Sequence, residues 1–159
     1  MVMQPISQPE REPFLAMAAQ HFSELDSSFV PHEDWKQYYF ETILANPQYF
    51  LRWILCDGHR AGFILFGLEK HRFLPRVTGA IFELFVLPEF RKRGLAKACA
   101  LEAILELWTH KPSKIQLEVL EGRTAAAALW KSLGFRKVTD RLVLTGSAVS
   151  GNESSGSAR

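Results

Sequence analysis

The sequence lacks any apolar run close to the roughly 20 residues that a membrane-spanning helix needs. Its opening residues, MVMQPISQPE, also lack the charged and then apolar arrangement of a secretory signal. A membrane anchor and secretion are therefore not predicted. We expect a cytoplasmic protein that has no membrane partner.

Cysteine and the common phosphate-binding patterns are also scarce or missing. Cys56 and Cys99 are far apart, so neither a CxxC redox pair nor a zinc site made of four such ligands is available, and we expect no metal. The pattern GxxxxGK followed by Ser or Thr is missing, as is GxGxxG. These absences exclude the phosphate loop of nucleotide hydrolases and the dinucleotide fingerprint.

Charge of one sign is not in excess either. The 159 residues carry 19 basic and 17 acidic side chains, a net charge of +2, so bulk attraction does not indicate a polyanionic partner. The basic cluster from Arg91 to Arg93 has no interleaved aromatic platform, and nucleic acid is not predicted as a partner. The length fits a single domain over residues 1–145, followed by a flexible Gly/Ser-rich tail over 146–159.

The sequence does contain clear periodic patterns of apolar residues. Apolar side chains at helical spacing predict four helices: residues 9–25, 32–46, 94–108 and 123–134. Apolar and alternating runs predict five strands: two on either side of an Asp57-Gly58 turn within residues 49–69, then residues 79–87, 114–120 and 136–144. Both of the first two helices are predicted to precede all the main strands.

A helix that joins residues 79–87 to residues 114–120 predicts a right-handed crossover between parallel neighbours. The carboxyl ends of both strands then open on one edge of the sheet, where ligands bind by general rule. At this edge the segment RKRGLA, residues 91–96, leads from the strand into the helix. Free helix amides, a helix dipole and three cations converge there, which suits a pyrophosphate, and Gly94 lets the ligand approach the backbone.

RKRGLA resembles the acyl-coenzyme A signature of the GNAT acetyltransferases, written with Gln or Arg first, Gly fourth and Gly or Ala sixth. ALWKSLGF, residues 128–135, resembles the closing helix of the same family, and LEVLEGR resembles a stretch of the ribosomal-protein N-terminal acetyltransferases. The chain is thus identified as a suspected GNAT superfamily member over residues 10–144. The resemblance implies an α/β (α+β) acyl-CoA N-acyltransferase fold, with splayed parallel central strands in a mixed sheet flanked by helices.

The resemblance also implies acetyl-CoA as co-substrate and a set of residues that bind it. The pantetheine arm is expected along the backbone of Leu84, Phe85 and Val86, in the gap between the splayed strands. The pyrophosphate is expected on the turn and first helical residues, where Arg91 and Arg93 add charge: Arg91, Lys92, Arg93, Gly94, Leu95, Ala96 and Lys97.

Direct acetyl transfer to an amine needs a general base, and two carboxylates are candidates. Glu118 lies near the end of its predicted strand, and the matching Glu is the base in the ribosomal-protein acetyltransferases. Glu83 lies in the other arm of the cleft, where many other family members have theirs. The sequence favours Glu118 as the base, with Glu83 as the alternative.

The chain departs from the family pattern at two positions. Trp130 replaces the Tyr that commonly acts as general acid, and its indole N–H is not a useful proton source, so it is expected to pack against the thioester or pantetheine. Water, Tyr38, Tyr39 or His71 remain as proton sources. Arg123 replaces an Asn that usually contacts the cofactor arm, and it can reach a phosphate or lie in solvent.

These observations predict an acetyl-CoA-dependent N-acetyltransferase acting on a small amine or a protein amino group. Its acceptor contacts are expected from the first two helices and from KHRFLPR, residues 70–76. The alternative is a non-catalytic acyl-CoA-binding module, which the Trp130 substitution keeps open. A homodimer is also left open.

Overall fold

The computed structural model describes residues 1–144. The predicted tail lies outside the described residues. Within these residues there are five strands and four α-helices, together with two short 3-10 helices. The strands are β1 (Val2–Pro5), β2 (Tyr49–Cys56), β3 (His59–Lys70), β4 (Val77–Val86) and β5 (Ile115–Leu117); the α-helices are α1 (Arg11–Leu25), α2 (Glu33–Ala45), α3 (Leu95–Thr109) and α4 (Thr124–Ser132); the 3-10 helices are Gln8–Glu10 and Pro88–Phe90.

The strands form one sheet in the order β1-β2-β3-β4-β5, antiparallel except for the parallel pair β4 and β5. This is the predicted mixed sheet, and within the described residues its parallel pair lies at one edge, because β5 is the last strand. The β2–β3 hairpin turns at Asp57 and Gly58, whose φ angles of 51° and 78° are both positive. Cys56 pairs with His59 across the turn, as a two-residue hairpin loop with both φ angles positive requires.

The helices cover both faces of the sheet. Helices α1 and α2 pack on one face around Phe14, Phe40 and Phe63, which are completely buried. Helices α3 and α4 pack on the other face, with Leu107 and Ile64 at the centre. Because neighbouring residues Phe63 and Ile64 of β3 lie in opposite cores, β3 is buried on both faces, as its continuous apolar run predicts.

The predicted set of strands needs correction at three points. Helices α1 and α2 precede β2 to β5 as predicted, but the sequence missed the four-residue strand β1, which comes first and pairs with β2 at the edge of the sheet. The predicted strand over 114–120 is only three residues long, since its pairing with β4 ends at Leu117. Residues 136–144 form no strand: an apolar run becomes a strand only when a neighbour pairs with it, and Leu142 here is 92% exposed.

Candidate active site

The pairing between β4 and β5 stops early, and the space between the two chain segments beyond its end is called the cleft. Gly79 pairs with Ile115 and Ile81 with Leu117, and no pair follows. Strand β4 nevertheless continues to Val86. The residues predicted to line the cofactor arm, Leu84, Phe85 and Val86, are the last three of β4 and lie beyond the last paired position.

A β-bulge in β4 accompanies the end of this pairing. Leu65 of β3 pairs with Glu83, and the next residue of β3 pairs with Ile81, so Phe82 is the extra residue. Ile81 packs in the core under α3, whereas Phe82 packs in the core under α1 and α2. Because the bulge interrupts the alternation, Glu83 also faces α1, where it contacts His21.

Helix α3 begins at the carboxyl end of β4 with exposed backbone donors. Gly94, the residue before the helix, has φ 77° and ψ 2°. The amide of Ala98 donates to the carbonyl of Gly94 at 3.0 Å and closes the first turn. The amides of Leu95, Ala96 and Lys97 therefore precede the first intrahelical bond and are free to bind an anion.

The basic side chains of the turn are only partly directed at this helix start. Arg91 donates from Nη2 to the carboxylate of Glu24 at 2.7 Å and from Nε to the carbonyl of Val86 at 2.7 Å. Arg123 donates to the backbone carbonyl of Glu24. The side chain of Arg93 lies over the ring of Phe90, 5.4 Å from its centroid. Glu24, at the end of α1, thus links residues from both sides of the cleft.

Lys92 belongs to the same turn and, like Arg91 and Arg93, is exposed. Its φ of 59° is left-handed, a conformation that a non-Gly residue seldom adopts. Left-handed residues at alternate positions turn successive backbone N–H groups towards one side, which forms a concave anion-binding nest. Lys92 and Gly94 both have positive φ angles, which is compatible with such a nest, and the binding of a pyrophosphate here stays a prediction.

The two candidate bases occupy very different environments. The Glu118 side chain is 66% exposed just after β5, and its Oε1 lies 2.6 Å from Nη2 of Arg141. The Glu83 side chain is 22% exposed, and its Oε2 lies 2.5 Å from Nε2 of His21. Electrostatic interactions are stronger in a partly buried site than in water, so Glu83 interacts more strongly with neighbouring polar groups than the exposed Glu118 does.

His21 was not identified from the sequence. It lies on the inner face of α1 and is 7% exposed. A single His among apolar helix positions is most often a core residue, and its partner is 62 positions away in the chain. Only the fold brings the two residues together.

The candidates for proton donor differ in their surroundings. Trp130 is 8% exposed and packs in the core under α3 and α4. Burial, with a smaller contribution from Glu83, raises the pKa of Tyr39 far above its usual value, and its buried hydroxyl has no hydrogen-bond partner among residues 1–144. Tyr38 is exposed, and Nδ1 of His71 accepts two backbone amides in the β3–β4 loop.

No cluster of three or more His, Cys, Asp or Glu side chains suited to a metal ion occurs within the described part of the chain. No helix within residues 1–144 is long and apolar enough to cross a membrane.

A mixed sheet whose parallel strands separate beside a glycine-containing helix start defines the acyl-CoA N-acyltransferase class of fold. The chain belongs to the acetyltransferase (GNAT) family, which matches residues 15–135. Members of this family use acetyl-CoA as co-substrate.

The chain resembles several named proteins. Over 61 residues, 38% of this chain and 41% of the relative, it is 39% identical to the ribosomal protein bS18-alanine N-acetyltransferase of Salmonella typhimurium. The match thus spans about two fifths of that relative's length.

The fold is shared with solved structures over 91% of this chain. A ribosomal-protein-alanine N-acetyltransferase from Brucella melitensis is 16% identical over 97% of its chain, with a TM-score of 0.73. An aminoglycoside 6'-N-acetyltransferase from Acinetobacter haemolyticus is 14% identical over 97% of its chain, also with a TM-score of 0.73.

Proposed function

We propose that this protein transfers an acetyl group from acetyl-CoA to a primary amine, carried by a small molecule or by a protein. The observation that carries the proposal is the early end of the β4–β5 pairing at Ile81 and Leu117: β4 continues without β5 to Val86, and the turn that follows it leads to the free amides after Gly94. Family membership supports the same reaction. Relatives named for a ribosomal protein's alanine and for an aminoglycoside both act on amines, which supports the acceptor class but not one acceptor.

Glu83 is the proposed general base. Its carboxylate faces α1 at the bulge beside the end of the β4–β5 pairing, it is partly shielded from water, and no Lys or Arg among residues 1–144 forms an ion pair with it. Glu118 is the weaker candidate because its carboxylate is exposed and paired with Arg141. This reverses the preference drawn from sequence, where the resemblance to LEV-containing acetyltransferases favoured Glu118.

The chemistry assigned to Glu83 is proton removal from the acceptor. An ammonium must lose a proton before its nitrogen can attack the thioester carbonyl, and Glu83 takes that proton directly or through one water molecule. The new C–N bond forms as the C–S bond breaks, the nitrogen then loses a second proton to water to give the neutral amide, and the departing thiolate takes up a proton. The buried Trp130 does not supply that proton, and Tyr39 holds its own too tightly, so solvent is the proposed source.

Release of free thiol in the presence of a panel of amines tests the proposal. Glu83→Gln should lower kcat by about 10²- to 10⁴-fold, the range expected for loss of a general base, while the Kd of acetyl-CoA changes little. Glu118→Gln is the matched control and should stay near wild type. The reverse order of the two variants would reassign the base.

Two other outcomes of this assay concern the function itself. Tight acetyl-CoA binding with no turnover on any amine would favour the non-catalytic acyl-CoA-binding module. The absence of both acetyl-CoA binding and turnover would refute the proposed function.

A further inference from the structure

We propose that His21 is a positioning residue that holds the Glu83 carboxylate and leaves one of its oxygens to accept the proton. The inference rests on the proposed function, in which Glu83 is the base. It concerns a residue on α1, outside every motif that indicated the family. Its basis is the contact between the two side chains and the way each is enclosed.

The imidazole ring is fixed by packing on several sides. The ring centroid of His21 lies 5.7 Å from that of Phe63, in an edge-to-face arrangement, and 5.2 Å from that of Phe85. Phe22, the next residue of α1, adds a ring contact at 5.3 Å. A ring confined in this way presents Nε2 in one direction, which is towards Glu83.

The contact divides the two oxygens of the carboxylate into separate roles. Oε2 of Glu83 lies 2.5 Å from Nε2 of His21, within hydrogen-bond distance. Oε1 has no hydrogen-bond partner among residues 1–144 and is not sealed from solvent. With Nε2–H donating to Oε2, the lone pairs of Oε1 are left to receive a proton from the acceptor side of the cleft.

A purely structural reason for this pair is weak. Its surroundings are aromatic, and replacing a buried ion pair by apolar residues of similar volume is often neutral or stabilising. Leucine at position 21 would suit the rings of Phe63 and Phe85. The pair is therefore better explained by what it does for the carboxylate than by a gain in stability.

The other polar groups near the pair do not compete with His21 for this role. Tyr39 of α2 is the neighbouring titratable side chain, and its hydroxyl makes no hydrogen bond within the described residues. Glu24, at the end of α1, forms an ion pair with Arg91 of the turn before α3. Strand β3 contributes Phe63 and Leu65, which carry no charge.

Three substitutions at one position test the inference. In His21→Gln, the amide nitrogen stands close to the position of Nε2 and keeps a donor to Glu83. In His21→Leu the volume is roughly retained but the donor is lost. In His21→Asn the donor is retained but the side chain is too short to reach Oε2, which gives a second variant without the contact if the leucine variant fails to fold.

The expected results separate positioning from packing. His21→Leu and His21→Asn should lower kcat about 10- to 100-fold, the scale of a misplaced catalytic group, with the KM of acetyl-CoA within about threefold of wild type. His21→Gln should recover kcat to within about fivefold. A merely structural histidine would instead give a lowered Tm with kcat unchanged in every folded variant, and that result would overturn the inference.

A double-mutant cycle distinguishes this inference from the proposed function. If His21 acts through Glu83, the pair His21→Leu and Glu83→Gln should be no slower than Glu83→Gln alone. Multiplied losses in the double variant would refute a shared role. Full activity of Glu83→Gln would instead overturn the base assignment, whereas an inactive Glu83→Gln with a fully active His21→Leu would overturn only the role of His21.

Discussion

Replacing Gly94 by alanine separates the stability of the helix start from its ability to bind an anion. Gly94 has φ 77°, and a Cβ built there meets no atom of the described chain within 4 Å. The substitution therefore causes no clash, and its structural cost is that of an L-residue in left-handed geometry, about 1–2 kcal/mol. For a chain of this length that corresponds to a fall in Tm of about 2–8 °C.

Gly58 offers a matched control. Its φ is 78°, and a Cβ added there also meets nothing within 4 Å. Gly58 lies in the β2–β3 turn, away from the start of α3. Gly58→Ala should therefore lower Tm by about the same amount as Gly94→Ala, because the two backbones carry the same strain.

Only Gly94→Ala should weaken binding of coenzyme A. The added methyl group occupies the open space in front of the amides that follow Gly94, and it keeps a phosphate away from them. A hydrogen bond to a charged group contributes about 1.5–3 kcal/mol, so loss of one such bond weakens binding about 10- to 150-fold. Isothermal titration calorimetry with acetyl-CoA and with coenzyme A measures this directly.

The comparison of the two alanine variants can refute the reasoning. If Gly94→Ala loses stability as Gly58→Ala does but binds coenzyme A with an unchanged Kd, the amides at the start of α3 do not hold the pyrophosphate. If both variants lose affinity equally, the effect is a general consequence of lower stability. Either result removes the physical basis of the proposed cofactor site.

Two further substitutions test ion pairs around the fold. Glu24→Gln should tighten acetyl-CoA binding about 1.4- to 5-fold, because it releases Arg91 from a partly exposed ion pair of about 0.2–1 kcal/mol. Glu89→Gln makes an equal charge change nearby and should have less effect. Equal effects of the two variants in calorimetry would argue against competition between Glu24 and the cofactor for Arg91. The pKa of Glu10 is lowered, chiefly by a hydrogen bond from the amide of Ser7. The ionised carboxylate therefore stabilises the fold fully at pH values above its ordinary pKa of 4.5, and this stabilisation is lost as the pH falls through the lowered pKa. Urea denaturation at pH 7 should therefore give Glu10→Gln a free energy of unfolding about 1–3 kcal/mol below that of wild type. A difference in this free energy that does not shrink in acid would contradict the account.

Much of the fold could be predicted because its local signals agree with its packing. The Asp57-Gly58 turn, the apolar strands on either side of it and the apolar face of α3 are each determined by neighbouring residues. A junction between a strand and a helix was predicted at Gly94, and α3 begins at the next residue, Leu95. The parallel crossover followed from the order of elements.

Strand edges were predicted less well because pairing depends on residues distant in the chain. Strand β1 forms through its contacts with β2, about 50 positions later, although Gln4 and Pro5 are poor strand formers. Residues 136–144 have a strand-like composition but pair with no strand of the described chain. Composition describes what a segment can do, whereas the neighbouring strand determines whether it does so.

The choice between the two carboxylates shows why the site was harder to predict than the fold. In an uninterrupted strand, Glu83 would face the same side as Ile81, towards α3, because side chains alternate with a period of two. The extra residue Phe82 reverses that direction and turns Glu83 towards His21. The bulge also lies where the pairing of β4 with β5 ends. A single inserted residue therefore coincides with the start of the cleft and also turns the proposed base away from α3. Nothing in the local sequence marks Phe82 as that residue.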